Sequence, residues 1–120
     1  MSVSRRWLAW LVTWLADRRR ERQSPGVPVP NAPSNLDVSP EEAFFILTWQ
    51  DNSGDETGFR VYRKAFSGPY GVAGEHPANT TGVGDGDVEP GVYYTYYVVA
   101  FNAGGESGRS NEAGGEISGA

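Results

Sequence analysis

At 120 residues the chain has room for one domain and a tail but not for two independent cores, since domains commonly run to about 100–150 residues. Sixteen glycines and fifteen aromatic side chains, with no long charged tract, exclude disorder for the chain as a whole and point to a β-rich fold. The absence of cysteine excludes disulfides, thiolate metal sites and cysteine nucleophiles, and the single histidine, His76, leaves no second imidazole for a His-rich zinc site.

The net charge of −5 is unevenly divided. Residues 1–24 carry six arginines against Asp17 and Glu21, a balance of +4, whereas residues 25–120 carry four basic and thirteen acidic side chains, a balance of −9. The basic end is therefore drawn to phosphate, anionic lipid or an acidic protein surface, while the acidic body repels nucleic acid.

In chain order, the first predicted element is an amphipathic helix over residues 1–23. On a helical projection Trp7, Trp10, Leu11 and Trp14 gather on one face, with Leu8, Val12 and Leu15 beside them and Arg6, Ala9, Thr13, Asp17 and Arg20 opposite. Ser2 or Ser4 caps its start, Arg18, Arg19 and Arg20 suit the negative pole of its dipole, and Pro25 with Gly26 stops it. Four readings compete for it. As a cleaved signal it has a basic start and a short apolar core, but Trp14 and Ala16 make a poor cleavage pair and the arginines behind them resist export. As a spanning helix it falls short of the ~20 apolar residues a bilayer core needs. As an interfacial helix its Trp and Arg suit the headgroup region. As a protein-docking helix its indoles would fill pockets on a partner or on copies of this chain; this reading is preferred, with Trp7, Trp10, Leu11, Trp14, Arg18 and Arg19 as the partner-binding residues.

Residues 24–33 form a Pro-rich linker, in which Pro25, Pro28, Pro30 and Pro33 predict an extended, stiff spacer. Beyond it, from residue 34 to 118, the pattern alternates with period two. Phe45, Leu47 and Trp49 fall on one side of a strand and Phe44, Ile46 and Thr48 on the other; Phe59 and Val61 share a face of the next; Tyr94, Tyr96, Val98 and Ala100 share a face of a third. Turn residues separate these strands, and the Gly/Pro-rich stretch of residues 66–91 intervenes, with His76 expected in a solvated loop. Short strands at this spacing predict an antiparallel sandwich.

These strands carry a resemblance. The segment from Ser34 to about Ser118 is similar to a fibronectin type III domain: "APSNLDVSP" resembles that family's first strand, "LTW" carries its strand B tryptophan as Trp49, "DETGFRVYRK" resembles strand C, and "VEPGVYYTYYVVAFNAGGES" resembles its tyrosine corner and strand F. The resemblance implies an all-β, immunoglobulin-like sandwich in which Trp49 packs between the sheets and Tyr94 turns its hydroxyl back onto backbone near Val88. The departure lies at the end, where "EAGGEISGA" offers only Ala113 and Ile117 for the last strand, which is expected to be short or frayed with an edge open to pairing by a neighbouring chain, against the plainer account of a loose tail.

No catalytic constellation emerges, and no metal or cofactor is implied. Asp51, Asn52, Ser53, Asp55 and Glu56 supply hard oxygen atoms, but an EF-hand loop would need glycine where Glu56 stands and glutamate where Tyr62 stands, so capping of backbone donors is favoured over calcium. Asp85, Asp87 and Glu89 take the same two readings. A glycosidase pair needs a cleft that a small sandwich filled by its own aromatics lacks. Outward-facing Tyr62, Tyr93 and Tyr97 are read as candidates for a contact patch with Arg60 and Lys64, against the plainer account that they pack across strands. The expectation is a non-enzymatic protein that displays its module on a larger assembly through the N-terminal helix. A bacteriophage decoration, head or tail accessory protein comes first, by analogy with the modules of this family found there. A bacterial envelope protein held at the membrane surface and an accessory carbohydrate- or surface-binding module are the alternatives. The expected location is the virion or the bacterial cell surface; the partner is a protein or a second copy, with a membrane surface second and nucleic acid disfavoured.

Overall fold

Along Phe45–Gln50 buried and exposed residues alternate without a break, placing Phe45, Leu47 and Trp49 inside and Ile46, Thr48 and Gln50 outside. This period of two sets the strand faces throughout a computed structural model that describes residues 26–118. The predicted helix over residues 1–23, with Trp7, Trp10, Leu11, Trp14, Arg18 and Arg19, lies outside the described residues.

Among the described residues eight strands follow in order: β1 (Ser34–Pro40), β2 (Phe45–Gln50), β3 (Gly58–Ala65), β4 (Gly71–Pro77), β5 (Gly82–Asp85), β6 (Tyr93–Asn102), β7 (Gly105–Glu106) and β8 (Ala113–Glu116). They build two antiparallel sheets, one of order β1-β2-β5 and one of order β4-β3-β6-β7 with β8 also on β6. The expected all-β sandwich is thus observed. Strands β4 and β5 lie in the Gly/Pro-rich stretch that carries no strand pattern, because both are edge strands with few inward side chains to supply one. His76 is consequently half-buried on β4, not in a solvated loop, and lines with Leu47, Val61, Val83 and Asp85 the space where β4 and β5 approach.

The core fills the gap between the sheets with Leu36, Phe45, Leu47, Trp49, Phe59, Val61, Tyr94, Tyr96, Val98, Ala100 and Ile117. Trp49 packs at 5.5 Å from Phe59 across the gap. Phe45 meets Tyr94 and Tyr96 edge-on at 6.1 and 5.8 Å, a geometry favoured by the ring quadrupoles. The Tyr94 hydroxyl accepts the Glu89 N–H at 2.9 Å, one residue past Val88, closing the corner that leads into β6. Two polar clasps join the sheets. Asp85 on β5 accepts from Arg63 on β3 at 2.8 Å and from the buried Tyr96 hydroxyl at 2.7 Å. The Asn111 side-chain amide donates to Leu36 O at 3.0 Å and accepts the Leu36 N–H at 2.8 Å, standing in for the strand neighbour that β1 lacks.

The last strand is short, as its sequence implies, but it is not a loose tail: β8 pairs with Tyr93–Tyr96 and Ile117 is buried. The described part of the Pro-rich segment, residues 26–33, lies against the domain. Asn102 donates to Pro28 O at 3.0 Å, Asn31 to Asn52 O at 3.0 Å and Asn52 to Ala32 O at 2.9 Å, with Pro30 and Pro33 buried.

Candidate interaction surface

The outer face of the larger sheet owes its character to an interruption in the strand that follows β6. After the β6–β7 hairpin the chain keeps its register only to Glu106, and β8 resumes pairing at Ala113. Between them two serines replace the missing ladder. Ser107 donates its N–H to Ala100 O at 2.7 Å while its hydroxyl accepts the Ala100 N–H at 2.9 Å. Ser110 does the same for Val98, at 2.9 Å in both directions. Each hydroxyl satisfies a buried backbone donor that would otherwise be costly to leave unpaired. Freed from the ladder, Gly108 and Arg109 are exposed, and the Arg109 guanidinium lies over the Tyr97 ring at 4.2 Å.

A tyrosine cluster is assembled beneath that arginine. Tyr62 on β3 and Tyr97 on β6 are direct cross-strand partners and stack at 4.7 Å with 14° between planes. Tyr70, just before β4, meets Tyr97 edge-on at 4.7 Å, and the Lys64 ammonium sits 5.0 Å from the Tyr70 ring. Carboxylates fix the two outer phenols: Tyr62 donates to Glu106 at 2.6 Å and Tyr70 to Glu112 at 2.8 Å. Burial, then the hydrogen-bonded carboxylate, pushes each of these hydroxyls up to about 12. Burial also raises Tyr97, with Arg109 pulling the other way. The floor is ionic. Arg60, 2 % exposed, donates to Glu75 at 2.5 Å and also to Glu106, and its guanidinium lies 4.2 Å from the centre of the Phe101 ring.

The patch expected from the sequence is therefore partly reorganised. Tyr62 and Tyr97 come together, Tyr97 as the buried centre, and Lys64 belongs to the rim. Arg60 points into the buried floor instead of outward to solvent. Tyr93 is exposed four residues along β6 from Tyr97, about 13 Å away at the usual strand rise. Tyr70 and Arg109 were missed, since both lie in loops whose periodicity is silent; the paired serines flanking Arg109 were the available signal. Trp49 and Tyr94 are buried in the core between the sheets.

The acidic turn after β2 is engaged internally. Asp51 accepts the Ser53 N–H at 3.0 Å, and Glu56 accepts from the Ser53 hydroxyl at 2.7 Å and the Asn79 N–H at 3.0 Å. Burial alone would raise Glu56, but these donors hold it below its usual range, while burial raises Asp51. Likewise Asp85 caps the Asp87 N–H at 3.1 Å besides holding Arg63. What the outer face offers is a rigid, amphipathic surface of tyrosine and arginine, the residue types that dominate protein-contact energetics at low entropic cost.

A family model described as the fibronectin type III domain matches residues 31–115. No curated protein matches the chain. Among solved structures, the chain is similar to an Fn3-like protein from Clostridium thermocellum, at 27 % identity and a TM-score of 0.62 over 72 % of this chain and 92 % of that one. It is similar in fold to the chicken CNTN1 FN1-FN3 domains, at 19 % identity and a TM-score of 0.69 over 78 % of this chain and 34 % of that one. The twitchin kinase region from C. elegans gives 19 % identity and a TM-score of 0.67 over 77 % of this chain, which spans only 17 % of the twitchin region.

Proposed function

The chain belongs to the fibronectin type III family, whose modules are typically non-catalytic interaction domains, and on that footing we propose that it is a binding module carried on a larger assembly by its N-terminal segment, with the tyrosine and arginine face of the larger sheet turned to a protein target. The observation that carries the reading is the pre-built cluster of Tyr62, Tyr70, Tyr97 and Arg109 on a face outside the core. The core would close without it, and rigid aromatic anchors beside a guanidinium are what a protein contact uses. The charge division and the three indoles of residues 7–14 support attachment through the other end of the chain. Within this reading a bacteriophage virion accessory protein, in the head, tail or decoration layer, is the first assignment.

A bacterial envelope protein held at the membrane surface is the second reading, favoured by the Trp/Arg composition of residues 5–22. The test changes Trp7, Trp10 and Trp14 together to Ala in the full chain and follows co-sedimentation with purified particles and flotation with anionic liposomes. Loss from particles alone supports the virion reading, and loss of flotation alone supports the envelope. Unchanged behaviour in both assays refutes attachment through this segment.

A further inference from the structure

The strands of the smaller sheet contribute no lysine or arginine to its outer face. Residues 34–50 and 78–87, which build β1, β2, β5 and their flanking turns, contain Asp37, Glu41, Glu42, Asp85 and Asp87 and not one lysine or arginine; of these, Asp85 is buried on Arg63 of the larger sheet, which also lies 3.7 Å from Asp87, so Asp37, Glu41 and Glu42 carry the charge of the outer face. The four basic residues after the linker, Arg60, Arg63, Lys64 and Arg109, all belong to the larger sheet and its loops. The same face is apolar at its middle. Phe44 and Ile46 are 40 % and 38 % exposed. Beside them β5 turns only glycine outward, because Ile46 pairs with Gly84 and Thr48 with Gly82 while Val83 and Asp85 point the other way. A row without side chains next to two exposed apolar ones leaves a shallow trough, and a Cβ built at Gly84 meets nothing nearer than the Phe44 ring at 3.7 Å.

We propose that this trough receives the Trp/Arg stretch, residues 5–22, of a neighbouring copy of the chain. The inference rests on the attachment reading above and names part of what the segment attaches to. Complementarity argues for the occupant: residues 1–24 carry a balance of +4 with three indoles, and the face presents Asp37, Glu41 and Glu42 around apolar and glycine surface, so arginine meets carboxylate where indole meets Phe44 and Ile46. The path of the chain argues for a neighbour over the same molecule. Upstream of β1 the backbone passes the tip of the β6–β7 hairpin, where a Cβ on Gly104 would lie 2.2 Å from Val27 O and Asn102 holds Pro28, so the chain arrives from the side of the larger sheet. A face that binds a distant segment of the next copy makes a head-to-tail contact, which closes into a ring or extends along a repeating lattice.

The chain has no cysteine, so engineered thiols report cleanly. A full-length Leu8→Cys chain is mixed with Gly84→Cys, Thr48→Cys or Val72→Cys full-length chains, Val72 being exposed on the edge of the larger sheet, and mildly oxidised, with circular dichroism confirming each fold. Interchain disulfides should form at residues 84 and 48 at least tenfold faster than at residue 72, and slow at high salt. Adding Phe44→Lys and Ile46→Lys to the acceptor should abolish the preference. Equal rates at all three positions, or no disulfide at either smaller-sheet position, overturns the proposal. So does a chain carrying both Leu8→Cys and Gly84→Cys that closes on itself at every dilution. Each of those failures leaves co-sedimentation with particles untouched, which separates this proposal from the attachment reading.

Discussion

Asp85 is the residue whose loss should cost this fold most for its size. It reaches from β5 to the larger sheet, where it accepts from Arg63 at 2.8 Å and from the Tyr96 hydroxyl at 2.7 Å. Tyr96 is 0 % exposed, and the Arg63 and Asp85 side chains are 21 % and 9 % exposed. Asp85→Ala orphans a fully buried hydroxyl and leaves a partly buried guanidinium to the more exposed Asp87, 3.7 Å away. Breaking a buried ion pair costs about 3–5 kcal/mol, and the residual exposure of Arg63 places this one at the lower end, about 3 kcal/mol. The orphaned hydroxyl adds about 1 kcal/mol or more. Against a usual total of about 5–15 kcal/mol, a loss near 4 kcal/mol lowers the melting temperature by roughly 15–30 °C. Asp85→Asn keeps an acceptor for Tyr96 without the charge and should cost about half as much. Urea unfolding followed by near-ultraviolet circular dichroism measures both, and a double-mutant cycle with Arg63→Met isolates the pair. A cost below about 1 kcal/mol for Asp85→Ala, or simple additivity with Arg63→Met, would refute the clasp as a joint between sheets.

Ser110→Ala removes the hydroxyl that accepts the buried Val98 N–H and should destabilise by about 1–3 kcal/mol while loosening Arg109 from Tyr97; Ser110→Thr, which keeps the hydroxyl, should restore most of it in the same unfolding experiment. Phenol absorbance at 295 nm should show at least four of the six tyrosines failing to ionise in the ordinary range near pH 10, since Tyr62, Tyr70, Tyr96 and Tyr97 are all raised, chiefly by burial. A folded-state value above the unfolded one means that stability is full below about pH 10 and is lost as pH climbs toward about 12. Burial pushes His76 the other way, down to about 4, so its share of stability is present above pH 6.5 and declines as pH falls toward about 4. His76→Gln should flatten that part of the stability–pH curve, and an unchanged slope between pH 6.5 and 4 would show that the neutral imidazole is not favoured by the fold.

The core strands were legible in two ways: inward residues alternate with outward ones along Phe45–Gln50, and Tyr93–Asn102 is a near-continuous apolar run buried without a break from Tyr96 to Phe101. The tyrosine corner was legible as a spacing, and Tyr94 closes it onto Glu89. Strands β4 and β5 were not legible, since an edge strand needs few apolar side chains and β5 has two glycines in four residues. The interaction face was half visible. Alternation put Tyr62 and Tyr97 on the outer side of their strands, but only the register between β3 and β6 stacks them. Arg60 shares that alternation and yet is buried, because Glu75 from the adjacent β4 and Glu106 from β7, beyond β6, arrive to neutralise it. Tyr70 and Arg109 reach the cluster from loops, Tyr70 held by Glu112 and Arg109 placed between two serine hydroxyls that replace ladder hydrogen bonds. Three asparagine side chains, Asn31, Asn52 and Asn102, fasten the described part of the Pro-rich segment to the end of the sandwich, a contact that its proline content does not reveal.

The most direct measurement of the whole account is hydrogen–deuterium exchange on the full chain, free and seated on its assembly. Attachment through the N-terminal segment, with the opposite sheet left for a target, predicts slowed exchange in residues 5–22 and along Gly82–Gly86, and unchanged exchange around Tyr62, Tyr70 and Arg109. Protection confined to the tyrosine face, with residues 5–22 exchanging as fast on the assembly as in solution, would contradict it.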